Sequence, residues 1–214
     1  MTIDQMRKDY LLAGLRKRDV DQDPMVQFQK WFHESLQPDL PDWFEVNAMT
    51  LSTSDQYGRV SSRVVLLKGI DDGRLLFFTN YDSDKGQQIA ENPHVSLCFF
   101  WPHLQRQVRI EGSVHRTSRE RSEHYFHSRP RDSQVGALVS QQSSVVASRD
   151  ILEARRQEVE AEHGDDEIPC PENWGGYQVE PERFEFWQGR SGRLHDRILY
   201  ERDGEQWKCS RLSP

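Results

Sequence analysis

Two apolar runs, RVVLLKGI and LLFFTN, stand on either side of DDGR, and no other feature restricts the folding of this chain as much. Asp72-Gly73 is the pair that a tight two-residue turn demands, because that turn puts positive φ on both central residues and Asp and Gly accept it at least cost. The runs therefore pair as an antiparallel hairpin. The same grammar extends both ways: VNAMTLSTS precedes the hairpin across the turn DQYGR, and VSLCFFW and RQVRIEGSVHRT follow it, joined around Pro102. Val46 to Thr117 thus reads as about five antiparallel strands, with VSSRVVLLKGI as one of them, and such strands close into a barrel or pack as a sandwich.

Helical spacing frames this block. Asp23 can cap a helix whose first position is Pro24, with Phe28, Trp31, Phe32 and Leu36 following before Pro38 stops the run. SDKGQQIAENP, SRERSEHYFHSRP, RDSQVGALVSQQ and DILEARRQEVEAEHG also read as helical, and YQVEPERFEFWQG and ILYERDGEQWKCSRL return to strand. With no repeat or linker, residues 23–214 are expected to form a single α+β domain, mainly antiparallel β with peripheral helices. Residues 1–22 alternate charges with few large apolar side chains and read as a mobile or ligand-ordered arm.

A chain of 214 residues buries a sizeable core without disulfides or metals. Its 28 Lys and Arg against 35 Asp and Glu leave a net charge of -7, so no global positive field attracts nucleic acid. A small phosphorylated ligand stays open, since it needs only two or three local cations. Cys98, Cys170 and Cys209 lack CxxC spacing and read as free thiols of a reducing compartment. Met1 to Tyr10 lacks the apolar stretch of a signal peptide, and no run approaches the ~20 apolar residues of a membrane span. The expectation is a soluble cytoplasmic protein without nucleic-acid or membrane partners.

Signatures of nucleophilic, metal-hydrolytic and nucleotide chemistry (GxSxG, HExxH, GxxxxGK[ST], GxGxxG) are absent, and His124 and His127 read as surface or packing residues, so no metal site is expected. What remains is cations set among apolar strands. Arg63 and Lys68 bracket VVLL and on a regular strand would face opposite sides, one towards each of two ligands; spacing alone favours the other reading, in which both flank a buried strand and reach water. Tyr125, Arg129 and Ser133 fall at four-residue intervals, as three donors on one helix face suited to a phosphate monoester, or as a solvated helix end interrupted by Pro130. Arg193, His195 and Arg197 alternate just after Trp187, an arrangement that suits stacking on and balancing an anionic aromatic ligand.

Taken in order, RVVLLK, FFTN, SDK, RQV, YFHSRPRDSQ, QQS, FWQG, RLHDR and the terminal RLSP span nearly the whole chain. In this set the chain resembles the pyridoxine (pyridoxamine) 5'-phosphate oxidase family. The resemblance implies a split β-barrel that forms a homodimer with FMN at the subunit interface, several site residues coming from the partner chain. It assigns Arg63 and Lys85 to the FMN phosphate, and Val64, Val65, Leu66, Leu67, Lys68, Phe78, Thr79, Gln107, Gln142, Ser143, Trp187 and Arg197 to the flavin.

For the substrate the resemblance assigns Lys68, Tyr125, Arg129 and Ser133 to the 5'-phosphate and Arg193, Leu194 and His195 to the pyridine ring, with Arg193 and His195 as the catalytic pair. Arg7 to Tyr10 resembles a segment that folds over bound substrate. The implied reaction is hydride transfer from C4' of pyridoxamine or pyridoxine 5'-phosphate to flavin N5, giving pyridoxal 5'-phosphate, with water hydrolysing the imine and ammonia leaving when the substrate is the amine, and with dioxygen reoxidising the flavin to yield hydrogen peroxide. Because the cofactor carries the electronic work, no protein nucleophile is required. Asp84 departs from the pattern, standing where a cation is common, and would repel a nearby phosphate. Two other readings are a split-barrel flavoprotein that reduces or carries flavin, for which YFHSRPRDS and RLHDR have no use, and a non-catalytic pyridoxal phosphate binding protein that needs no flavin.

Overall fold

The computed structural model describes residues 2–6 and 9–214. The fold is α+β and mainly antiparallel: the described residues contain nine strands, joined in one sheet by antiparallel pairs throughout. After α1 (Pro24–Ser35) come β1 (Ala48–Ser54), β2 (Val60–Leu66), β3 (Gly69–Asp71), β4 (Arg74–Asn80), α2 (Asp84–Glu91), β5 (His94–Trp101) and β6 (Arg106–Arg116). Three helices, α3 (Arg119–Ser128), α4 (Arg131–Val139) and α5 (Arg149–His163), precede β7 (Trp174–Gln188), β8 (Asp196–Asp203) and β9 (Gln206–Leu212).

The β3–β4 hairpin turns at Asp72 and Gly73 with φ of 47° and 73°, the geometry that the Asp-Gly pair was expected to supply. The run VSSRVVLLKGI, expected as one strand, is broken. Leu67 N donates to Asn47 O at 2.9 Å and Lys68 N to Leu76 O at 2.8 Å, so the chain leaves the β1 edge and joins the β4 edge within two residues. The sheet order is β2-β1-β5-β6-β7-β4-β3, and its two ends are therefore joined by Leu67 and Lys68 alone. A sheet whose ends lie two residues apart must curl shut, which makes this corner the closure of a barrel.

β7 splits the wall. Trp174 to Asn80 and Val179 to Leu75 bound its pairing with β4, whereas Arg183 to Gln188 pair with β8. The switch falls at Pro181, opposite a bulge between Glu111 and Gly112 of β6. A Cβ at Gly112 would lie 2.0 Å from the Glu180 carbonyl oxygen, so only glycine lets the two backbones pass there.

Inward residues of these strands, among them Leu51, Phe77, Leu97, Phe99, Ile110 and Phe184, are fully buried. Helix α1 plugs one end of the barrel. Asp23 accepts from Met25 N at 2.7 Å and Pro24 opens the helix, as its sequence predicts. Phe28 then packs on Phe99 at 5.0 Å and Trp31 meets Phe186 edge-on at 5.3 Å. Each such ring contributes roughly 1.5–3 kcal/mol by burial. A second, smaller cluster of Phe126, Val135, Ile168, Cys170 and Trp174 holds α3 and α4 against the barrel. From Tyr10 onward the N-terminal segment lies on the sheet, and Leu15 is buried in the main core. No described helix is long and apolar enough to cross a membrane.

Candidate active site

Between the β2 side of the barrel and helices α3 and α4 lies a cavity of about 840 Å³. Strand β2 and the corner after it supply Arg63, Val64, Val65, Leu66 and Lys68; β4 supplies Phe78, Thr79 and Asn80; α2 supplies Asp84 and Lys85. Tyr125, Arg129, Pro130 and Ser133 close the opposite wall, with Gln142, Ser143 and Trp174 between.

Two expectations about orientation are corrected here. Arg63 and Lys68 do not face opposite sides, because the strand ends at Leu66 and the corner turns Lys68 back into the same cavity. Nor do Tyr125, Arg129 and Ser133 share one helix: α3 stops at Ser128, Arg129 is extended at φ -76° and ψ 151°, and α4 starts after Pro130. A residue before proline avoids the helical region, so Pro130 forces the break that folds α4 over the cavity and brings the three side chains to one wall. Within the Val64–Lys68 run, Leu67 does not line the cavity; it is buried in the barrel core.

The cavity is cationic. Arg63, Lys68, Lys85 and Arg129 line it against the single carboxylate of Asp84, and among the described residues none of the four forms an ion pair with a carboxylate. Arg63 is held from behind, donating to Thr53 Oγ1 and Ser61 Oγ at 2.6 Å each. Lys85 is buried and donates to Gln142 Oε1 at 2.9 Å and Ser83 Oγ at 3.1 Å. Burial pushes its ammonium down to about 8, the Arg63 charge acting in the same sense and Asp84 against it. Burial also lowers the Arg63 and Arg129 guanidinium groups. Arg129 lies over the Trp174 ring at 4.7 Å, and its buried Nη1 has no hydrogen-bond partner among the described residues. Unpaired buried cationic nitrogen is costly, and an anion in the cavity would satisfy it.

Gln107, Trp187, Arg193, Leu194, His195, Arg197 and Tyr10 gather elsewhere, around the far end of β7. Register makes the core of this second group: Gln107 pairs with Trp187, and Trp187 with Arg197. Arg197 grips buried Glu185 through two bonds of 2.8 and 3.0 Å, which fixes its guanidinium plane. The alternation of Arg193, His195 and Arg197 does not put them on one strand face, because β8 begins only at Asp196 and Arg193 sits in a turn with φ of 62°. His195 lies 4.7 Å from the Trp187 ring and accepts from Arg190 N through Nδ1 at 3.1 Å, so its neutral ring carries the proton on Nε2. Leu194 is exposed, and Tyr10 meets Trp187 and His195 edge-on at 5.6 and 5.7 Å. Arg7 lies outside the described residues. None of the second group lines the cavity of its own chain.

Sequence reasoning missed Trp174, which stacks with Phe78 and Tyr125 at 5.5 and 6.2 Å and begins β7. Gly175 and Gly176 after it masked the strand. Asn80, Gly136, Ala137 and Ser140 were also missed as lining residues, and no pattern marks them.

An antiparallel split barrel with a cationic cavity beneath helices α3 and α4, and an aromatic and basic group on its final strands, defines a split-barrel class of proteins. Residues 37–163 match the family model "Pyridoxamine 5'-phosphate oxidase", and residues 174–214 match "Pyridoxine 5'-phosphate oxidase C-terminal dimerisation region". The chain is 60% identical to a pyridoxine/pyridoxamine 5'-phosphate oxidase of Rhodopirellula baltica, over 99% of this chain and 96% of that one. A protein of the same name from Nostoc sp. is 51% identical over 100% and 99% of the two chains. Among solved structures, PhzG from Burkholderia lata 383, in complex with tetrahydrophenazine-1-carboxylic acid, superposes with a TM-score of 0.86 at 30% identity, covering 95% and 99%. A pyridoxamine 5'-phosphate oxidase-related, FMN-binding protein of Nostoc punctiforme shares the fold at a TM-score of 0.68 and 16% identity, over 87% and 95%. The chain belongs to the pyridoxamine 5'-phosphate oxidase family.

Proposed function

We propose that this chain is an FMN-dependent oxidase that converts pyridoxamine or pyridoxine 5'-phosphate to pyridoxal 5'-phosphate, working as a homodimer with two shared sites. The observation that carries the reading is the cavity with four unpaired cations, one of them a buried guanidinium nitrogen without a partner. Its donor set fits two phosphorylated ligands side by side. Arg63 and Lys85, braced at one end, suit the phosphate of FMN, while Val64, Val65, Leu66, Phe78, Thr79, Gln142 and Ser143 would border its ring. Lys68, Tyr125, Arg129 and Ser133, at the other end, suit the substrate phosphate.

The second group does not line this cavity in its own chain, and Trp187, Arg193, Leu194, His195 and Arg197 lie within the segment matched by the dimerisation region, which supports the group's reaching the cavity of a second copy. There Gln107, Trp187 and Arg197 would flank the flavin, and Arg193, Leu194 and His195 would cover the pyridine. With the phosphate anchored, the substrate ring is oriented at one end by cations and at the other by the His195 Nε2–H donor and the Arg193 guanidinium. FMN, when bound, supplies the hydride acceptor and passes the electrons to dioxygen, releasing hydrogen peroxide. Trp187 and the edge of Tyr10 exclude water from the side of His195.

The resemblance to PhzG over 95% of the chain favours one second reading, oxidation of a carboxylated aromatic compound in the same cavity. Both readings are tested by purifying the protein, measuring its FMN absorbance and following oxygen uptake. Uptake with pyridoxamine 5'-phosphate but not with pyridoxamine supports the oxidase reading. A protein that cannot be loaded with FMN contradicts both.

A further inference from the structure

Residues 10–15 are tied to the segment that carries His195 by more bonds than a loose arm needs. Leu15 N donates to Asp196 Oδ2 at 2.9 Å. Arg211 bridges the same two residues, donating to Asp196 Oδ1 and to Leu15 O at 2.6 Å each. Arg190 donates to Ala13 O at 3.1 Å while its Nε stands 3.6 Å from Asp196 Oδ2. Gln105 Oε1 accepts from Leu11 N at 3.0 Å and Leu12 N at 3.3 Å, and the Leu15 side chain is buried in the core.

Burial pushes the Asp196 carboxyl up, but the Leu15 N–H and the Arg211 and Arg190 charges outweigh it and hold the group below the usual carboxylate range. Asp196 is therefore an ionised hub with two guanidinium groups and one backbone donor on it. It is also the residue between His195 and Arg197.

The strap so held ends in a fitted seat. A Cβ added at Gly189 would lie 2.7 Å from Tyr10 Cγ and 2.8 Å from Tyr10 Cβ. The φ at Gly189 is not in the left-handed region, so it is the closeness of the Tyr10 ring, and no backbone strain, that a side chain at this position would oppose. Lying on Gly189, Tyr10 presents its ring edge to Trp187 and His195.

We propose that Asp196 is a positioning residue: with Arg190 and Arg211 it latches residues 13–15 to the sheet, and so seats Tyr10 on Gly189 against His195 and Trp187. The strap so held forms a wall beside His195 and Trp187. The role of His195 that gives this wall its purpose rests on the proposed oxidase reading; the latch itself does not.

The test therefore begins with a measurement that needs no activity. Hydrogen exchange is followed on the full-length, FMN-loaded protein without substrate, comparing wild type with Asp196→Ala and with the isosteric Asp196→Asn. The expected result is exchange at Leu11, Leu12 and Leu15 faster by roughly tenfold or more in Asp196→Ala and by less in Asp196→Asn, with strands β5 to β7 unchanged. Equal exchange at these amides in wild type and Asp196→Ala overturns the latch.

The seat is read by a double-mutant cycle. Gly189→Ala and Tyr10→Ala are each expected to lower kcat/KM by about tenfold, and the double variant by no more than either alone. Full additivity overturns the seat. Slow wild-type strap exchange in a protein that does not oxidise pyridoxamine 5'-phosphate would uphold the latch and sink the oxidase reading instead.

Discussion

Arg129 shows how one residue combines burial, a cation–π contact and an unanswered charge. Its guanidinium lies over Trp174 and, among the described residues, its buried Nη1 has no partner, so the folded chain carries a cost that an anion in the cavity would remove. Arg129→Ala is expected to raise the KM for pyridoxamine 5'-phosphate roughly 10- to 100-fold, the equivalent of about 1.5–3 kcal/mol for a charge-assisted bond, with a smaller change in kcat. Steady-state kinetics checks it, and an unchanged KM would move the phosphate site. Lys85 gives a pH test with two opposite signs. Its ammonium is held to about 8 against an ordinary 10.5, so between these values the folded chain binds fewer protons than the unfolded one, and the stability of the flavin-free chain rises with pH. A phosphate dianion needs Lys85 charged, so FMN affinity falls over the same window. Fluorescence titration and thermal unfolding from pH 7 to about 10.5 read both, and Lys85→Met should flatten both curves. Arg63, Lys85, Tyr125, Arg129 and Ser133 were legible in the sequence as family motifs, and the resemblance implied that they gather at two phosphates, but the way the chain brings them together was not legible. It depends on where strand and helix stop, at Leu66 and at Ser128, and a period of two or of four cannot reveal a stop.

Among the elements, those punctuated by turn chemistry were the legible ones. Asp72-Gly73, Asp23-Pro24 and the DQYGR turn fall where the sequence sets them. The corner at Leu67-Lys68 carries no Gly or Pro of its own and was unreadable, although barrel closure depends on it. β7 was legible only from Tyr177 on, because Gly175 and Gly176 hide its start, and Pro181 marks a change of partner that no local rule announces. Helix α1 is the element that most clearly holds the barrel without touching the cavity. Phe28→Ala there is expected to cost about 3–5 kcal/mol, because Phe28 is fully buried against Phe99 and Trp101. Chemical denaturation measures the loss, and a cost under about 1 kcal/mol would show that α1 adds little to barrel stability.

At the scale of the whole molecule, a chain of net charge -7 concentrates cations in one cavity and sets a second basic and aromatic group where that cavity does not reach. The resemblance implied that several site residues come from a partner chain; the fold shows which group stands apart from the cavity. The proposed homodimer brings them together again, each copy lending its final strands to the cavity of the other. Heterodimers test this most directly. Two differently tagged copies, one Arg129→Ala and one His195→Ala, are co-expressed, purified through both tags, and assayed with subsaturating pyridoxamine 5'-phosphate. If the sites are shared, one of the two in each heterodimer has lost both residues and the other is intact, and the heterodimer recovers roughly half the wild-type rate while each parent homodimer stays low. A heterodimer no more active than its parents would contradict a site built from two copies.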